Sequence, residues 1–209
     1  RAAHFPASAD AQYLAARLEE GEELEKGMRR ALELNASHAW ANQALGAYYD
    51  GLKRTDDALR HFENAARSKT AEPDHARTYV AFLYANQRYD DIDRLLIAWE
   101  QHPPDFSRSE LEIDIALGRR PDASALQLQA ALHRDAPYLY AIRIVRADKT
   151  FRQISVRRSD RAFVVHWTRV WVQPSQTSED AEAWQRPGRP PFAELHSAAM
   201  SRLMAEENR

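Results

Sequence analysis

Apolar residues in this chain come back at intervals of thirty-four. Leu45, Gly46 and Tyr49 are followed by Ala58, Phe62 and Ala65. With Ala39 as position 1, these fall at positions 7, 8, 11, 20, 24 and 27. One full interval later stand Tyr79, Val80 and Leu83, then Ile92, Leu96 and Trp99. Positions 7 and 11 lie one turn apart on a helix, and positions 20, 24 and 27 form an i, i+4, i+7 stripe on a second. A unit of this kind is a helical hairpin that cannot bury its apolar face alone, so it must stack on a neighbour. Gly46 and Ala58 are small enough to let two helix backbones approach, while Tyr49 and Phe62 fill the remaining volume.

Two further copies are expected at the flanks. Upstream, Leu24, Met28 and Ala31 make a stripe that ends in Ala31-Leu32-Glu33-Leu34-Asn35, with a first helix over about 9–19. Downstream, Leu111 and Ile115, then Ser124, Leu128 and Ala131, predict a third copy from Asp105, with Pro121 opening its second helix. Pro104 ends the copy before it.

The pattern resembles the tetratricopeptide repeat family over about residues 8–136. The resemblance implies a mainly α fold: a right-handed α-solenoid of tetratricopeptide-type hairpins, built to bind a protein or peptide on its concave surface. In that family positions 2, 5, 9, 12 and 13 of each first helix line the groove. Carried onto this sequence they are Trp40, Gln43, Ala47, Asp50 and Gly51, then Asp74, Arg77, Ala81, Tyr84 and Ala85. Trp40, Gln43, Asp50, Arg77 and Tyr84 are the expected partner-binding residues: aromatic anchors, polar contacts, and a guanidinium for a carboxylate. Trp40, Arg77 and Tyr84 also suit plain packing or a solvated helix face. The Lys, Asn and Arg set of the chaperone-binding members is missing, so no chaperone C-terminus is expected as partner.

After Pro137 the period changes to two. Tyr138, Tyr140, Ile142 and Ile144 alternate, and 151–158 and 162–172 follow, with short polar connections between them. These predict a small three-stranded antiparallel β meander, although 138–147 also fits a capping helix. Pro and Ser mark 173–191 as an extended arm holding Trp184. Leu195, Ala199 and Leu203 predict a C-terminal helix over about 191–207. Residues 137–209 thus form a second module, which caps the array or adds a contact.

Segment 138–172 carries eight Lys and Arg against Asp148 and Asp160, a balance of +6 inside a chain of net charge −2. Arg143, Arg152, Arg157, Arg158 and Arg169 interleave with Phe151, Phe163, Trp167 and Trp171. Guanidinium groups for phosphates and rings for bases are what a single-stranded nucleic acid needs, and this is the alternative function. The same aromatic face also reads as a core packed on the last hairpin.

Catalytic chemistry finds no motif. None of the eight histidines is spaced for a zinc helix, no glycine-rich phosphate loop or nucleophile elbow occurs, and there are no cysteines. Asp56-Asp57 and Asp90-Asp91 are better read as helix starts, where negative charge suits the dipole. No catalytic residue, cofactor or metal is expected. An enzyme site between array and module is the third reading. No run is apolar enough to span a bilayer, and no signal peptide is visible. The sequence opens on Arg1 rather than methionine, which fits a removed leader or a longer N-terminal region, so cytoplasmic and exported settings both stay open.

Overall fold

The computed structural model describes residues 8–101, 112–119, 125–131, 140–145, 151–158, 163–170, 182–186 and 190–207. Six helices come first: α1 (Ala9–Ala16), α2 (Gly21–Leu34), α3 (Ala39–Gly51), α4 (Thr55–Ala66), α5 (Pro73–Ala85) and α6 (Tyr89–Gln101). Six strands follow: β1 (Glu112–Arg119), β2 (Ala125–Ala131), β3 (Tyr140–Val145), β4 (Phe151–Arg158), β5 (Phe163–Val170) and β6 (Glu182–Arg186). The last element is α7 (Phe192–Glu207). The chain divides into two compact units, one running to Phe82 and holding α1–α4 with most of α5, the other holding the end of α5, α6, the sheet and α7. No helix among the described residues is long and apolar enough to cross a membrane.

In the first unit side chains cap the starts of α1 and α3, and α2 and α4 have no side-chain cap. Ser8 Oγ accepts from the Ala11 N–H at 3.1 Å, and His38 Nδ1 accepts from Ala41 N–H at 3.1 Å. The apolar stripes meet as the spacing requires: Met28, Ala31, Leu45, Tyr49, Ala58 and Ala65 are buried to within one per cent. Gly46 is needed where it stands. A Cβ there would lie 2.6 Å from the Phe62 ring, so the close approach of α3 and α4 depends on its absence.

The thirty-four-residue interval also appears in the backbone. Lys53 and Gln87 are the two non-glycine residues of positive φ among the described residues, at 60° and 57°. Each ends a helix, and the next N–H reaches back to a carbonyl five residues earlier: Arg54 to Tyr49 at 2.9 Å, Arg88 to Leu83 at 2.8 Å. Each following arginine then bonds an aspartate in the first turn of the next helix, Arg54 to Asp57 and Arg88 to Asp91. Asp57 and Asp91 are bonded again by Arg60 and Arg94. The paired aspartates are therefore turn and helix-start residues, as the sequence suggested.

The third helical copy is overturned: Glu112–Arg119 and Ala125–Ala131 are strands. The reason is a competing period. Ile113 and Ile115, and Leu126 and Leu128, alternate with polar neighbours, and the register sets Ile115 opposite Leu128, and Leu128 opposite Ile142. Leu126 and Leu128 are buried there.

The sheet runs β1-β2-β3-β4-β5-β6, each strand antiparallel to the next. The three expected strands are its β3, β4 and β5, so 138–147 gives a strand and not a capping helix over its described residues. The expected extended arm also contains a strand: β6 pairs with β5, placing Trp184 opposite Val165. The rest of the arm, 173–181 and 187–189, lies outside the described residues, as do Pro104 and Pro121. The C-terminal helix forms as expected. α7 packs on β3 and β4 and buries Phe192, Leu195 and Ala199, while Tyr140, Ile142, Ile154 and Val156 are buried on the sheet. Tyr140 donates its hydroxyl hydrogen to the Pro190 carbonyl at 2.5 Å, and both Asp93 oxygens accept the first N–H of α7, at 2.9 and 2.8 Å.

Candidate functional site

α3 and the first half of α5 carry four of the five expected contact residues. Trp40 is half-buried, and its indole meets the His75 ring edge-on with centroids 4.5 Å apart. Gln43 follows one turn later and is also half-buried. Asp50 is exposed at the far end of α3. Arg77 is exposed on α5 and donates to Asp74 Oδ1 at 2.8 Å. An exposed i, i+3 pair of this kind is worth little, so the guanidinium can exchange its carboxylate for another.

Tyr84, the fifth, stands near the end of α5 and belongs to the second unit. Its hydroxyl is 3.0 Å from His196 Nε2, and its ring meets those of Tyr89 and His196. His196 also packs on Tyr89 and Phe192. Burial raises the Tyr84 pKa and lowers that of His196. Tyr84 is thus tied to the start of α7.

His75, against the Trp40 ring, is a residue that the sequence did not single out. It is 1% exposed. Its Nδ1 lies 2.9 Å from the Glu72 backbone N–H, which can only donate. The neutral ring therefore carries its proton on Nε2. That Nε2 has no hydrogen-bond partner, and neither does the buried Oε1 of Gln43. One is a donor and the other an acceptor. Leaving such groups unpaired costs about 1–3 kcal/mol each. Burial lowers the His75 pKa, against smaller raising effects from Glu72 and Asp74.

A second polar group holds α2, α3 and α4 together. Tyr49 donates to Glu25 Oε1 at 2.6 Å and accepts from Arg29 at 2.6 Å. His61 stacks on Tyr49 and bonds Asn42. Burial pushes the His61 pKa down to about 4. Each of these groups is paired, from buried Asn42, His61 and Tyr49 out to half-buried Glu25 and exposed Arg29, which is a structural role.

Arg143 is half-buried and donates two hydrogen bonds to Gln153 Oε1, at 3.0 and 3.2 Å. The side chains of Arg152, Arg157, Arg158 and Arg169 lie outside the described ones. Among the described residues no group of three or more His, Asp or Glu is arranged to hold a metal ion.

Comparison with protein-family models, with curated proteins and with solved structures gives no match to this chain.

Proposed function

We propose that the chain is an adaptor of the tetratricopeptide class. In this reading its hairpins α1–α2 and α3–α4 stack in the right-handed solenoid manner, and it captures a protein or peptide on the face bearing Trp40, Gln43, Asp50 and Arg77. The observation that carries the class is the repeated turn: the same positive-φ residue, back-bonded N–H and Arg–Asp pair at Lys53 and again at Gln87. A unit that recurs in backbone as well as in side chains is what a stacked repeat requires. The half-buried indole of Trp40 and the exposed guanidinium of Arg77 are of the aromatic and arginine kinds that dominate binding at protein interfaces.

The test is capture of partners from the native host, read by mass spectrometry. Trp40→Ala combined with Arg77→Glu should empty the partner set while the far-ultraviolet dichroism and melting of the chain keep their helical form. An unchanged partner set removes this face from consideration.

A further inference from the structure

α1 carries its leucines on the side away from its core. The core side is marked by Ala16, which is 4% exposed. Leu14 and Leu18 stand two residues before and two after it, each about 200° around the helix, so they point away from that core. They are 55% and 84% exposed. Ala15, beside Leu14, is exposed too. The next helix shows a different outer side: α2 exposes Glu22, Glu23, Lys26, Arg30 and Glu33. Two exposed leucines one turn apart form an apolar patch that calls for a cover.

The charges along this patch say what the cover is. Asp10 and Arg17 are seven residues apart, two turns, so they lie along one edge of it, the acid in the first turn and the base at the C-cap. Both are exposed. Asp10 has one oxygen 3.0 Å from His38 Nε2, yet its side chain is 88% exposed. A matching partner must run its charges in the reverse order, and an inverted second copy does so by symmetry. Laid antiparallel across a two-fold axis at Leu14, two α1 helices bring each Asp10 alongside the Arg17 of the other. Ala11 and Ala15 are small, so the two backbones can approach.

We propose that the outer side of α1 seats a second copy of this chain, in an antiparallel two-fold pairing where the Leu14 and Leu18 side chains of the two copies pack together and Asp10 of each binds Arg17 of the other. The pairing does not rest on the peptide-binding reading above. About ten residues from each copy bury less than the roughly 1,200 Å² of a lasting complex, so the two copies exchange and their association follows concentration.

The experiment is sedimentation velocity on the whole chain, from about 5 µM to about 500 µM in low salt, where weak pairing is visible. The sedimentation coefficient should climb from the monomer value towards that of a dimer. Leu14→Glu combined with Leu18→Glu should hold the chain at the monomer value throughout, with dichroism and melting unchanged because both side chains are exposed in the monomer. Asp10→Arg alone and Arg17→Asp alone should each weaken association about tenfold, and the two together should restore it. The decisive comparison is Asp10→Arg against the double exchange, since both lose the His38 contact and differ only in the pairing. A monomer at every concentration, a dimer indifferent to the two glutamates, or a double exchange no tighter than Asp10→Arg alone each overturns the proposal. The first of these outcomes would leave the patch to a different protein.

Discussion

His61 donates through Nδ1 to Oδ1 of Asn42 at 2.9 Å, and this fixes the tautomer of a buried imidazole between α3 and α4. The assignment follows from Asn42, whose Nδ2 already donates to the Ala36 and His38 carbonyls at 3.1 Å. Its remaining oxygen can only accept.

That neutral ring makes the first unit sensitive to acid. Folded, His61 takes up a proton only near pH 4, whereas a free histidine does so near 6.5. Between those values the unfolded chain holds more protons, so lowering the pH favours unfolding. Stability should be complete above about 6.5 and fall on the order of 2–3 kcal/mol by pH 4 from this group. His75 shifts in the same direction. Urea midpoints across this range check it; in His61→Phe the slope with pH should flatten.

Tyr49→Phe keeps the ring and removes the hydroxyl shared by Glu25 and Arg29. A loss of about 1–2 kcal/mol is expected in denaturant unfolding. The Tyr49 hydrogen bond is the largest cause holding the Glu25 pKa below its ordinary value, so the variant should also raise it. A carbon-13 titration of the Glu25 carboxyl reads that change.

Two glycines of α3 should respond oppositely. Gly46→Ala drives a methyl into the Phe62 ring and should cost about 1–3 kcal/mol by overpacking. Gly51→Ala meets nothing within 4 Å and should gain about 0.5–1 kcal/mol from helix propensity and a stiffer unfolded chain. Equal melting shifts in the two variants would refute the close approach.

Asp93→Ala removes the acceptor for the first N–H of α7. A loss of about 1 kcal/mol is expected, with faster hydrogen exchange at the start of α7 and little change in α3.

The hairpin spacing was legible because Leu45, Gly46, Tyr49 and Phe62 repeat a helical contact set that few other folds ask for. Residues 112–131 misled because Leu111 and Ile115, and again Ser124 and Leu128, stand four apart, a spacing that suits both a helical turn and the alternation of a strand. Only pairing partners far along the chain, such as Ile142 for Leu128, decide between them. Trp40 and Gln43 could be placed from their repeat positions. His75 could not, since the hydrogen bond that sets its tautomer is a matter of burial and local backbone, and no spacing signals it. Tyr84 had the right position on α5, but its hydroxyl partner is 112 residues away.

Chain order gives the sheet a vulnerable moment. A ribosome delivers every strand from Glu112 to Arg186 before it delivers α7, the helix that packs on Ile142, Ile154 and their neighbours. Until Asp93 and Tyr140 have secured that latecomer, a nascent chain presents bare aliphatic strands to whatever else is being made nearby. Clipping before Phe192 would make that passing exposure permanent, and the expected symptom is insolubility.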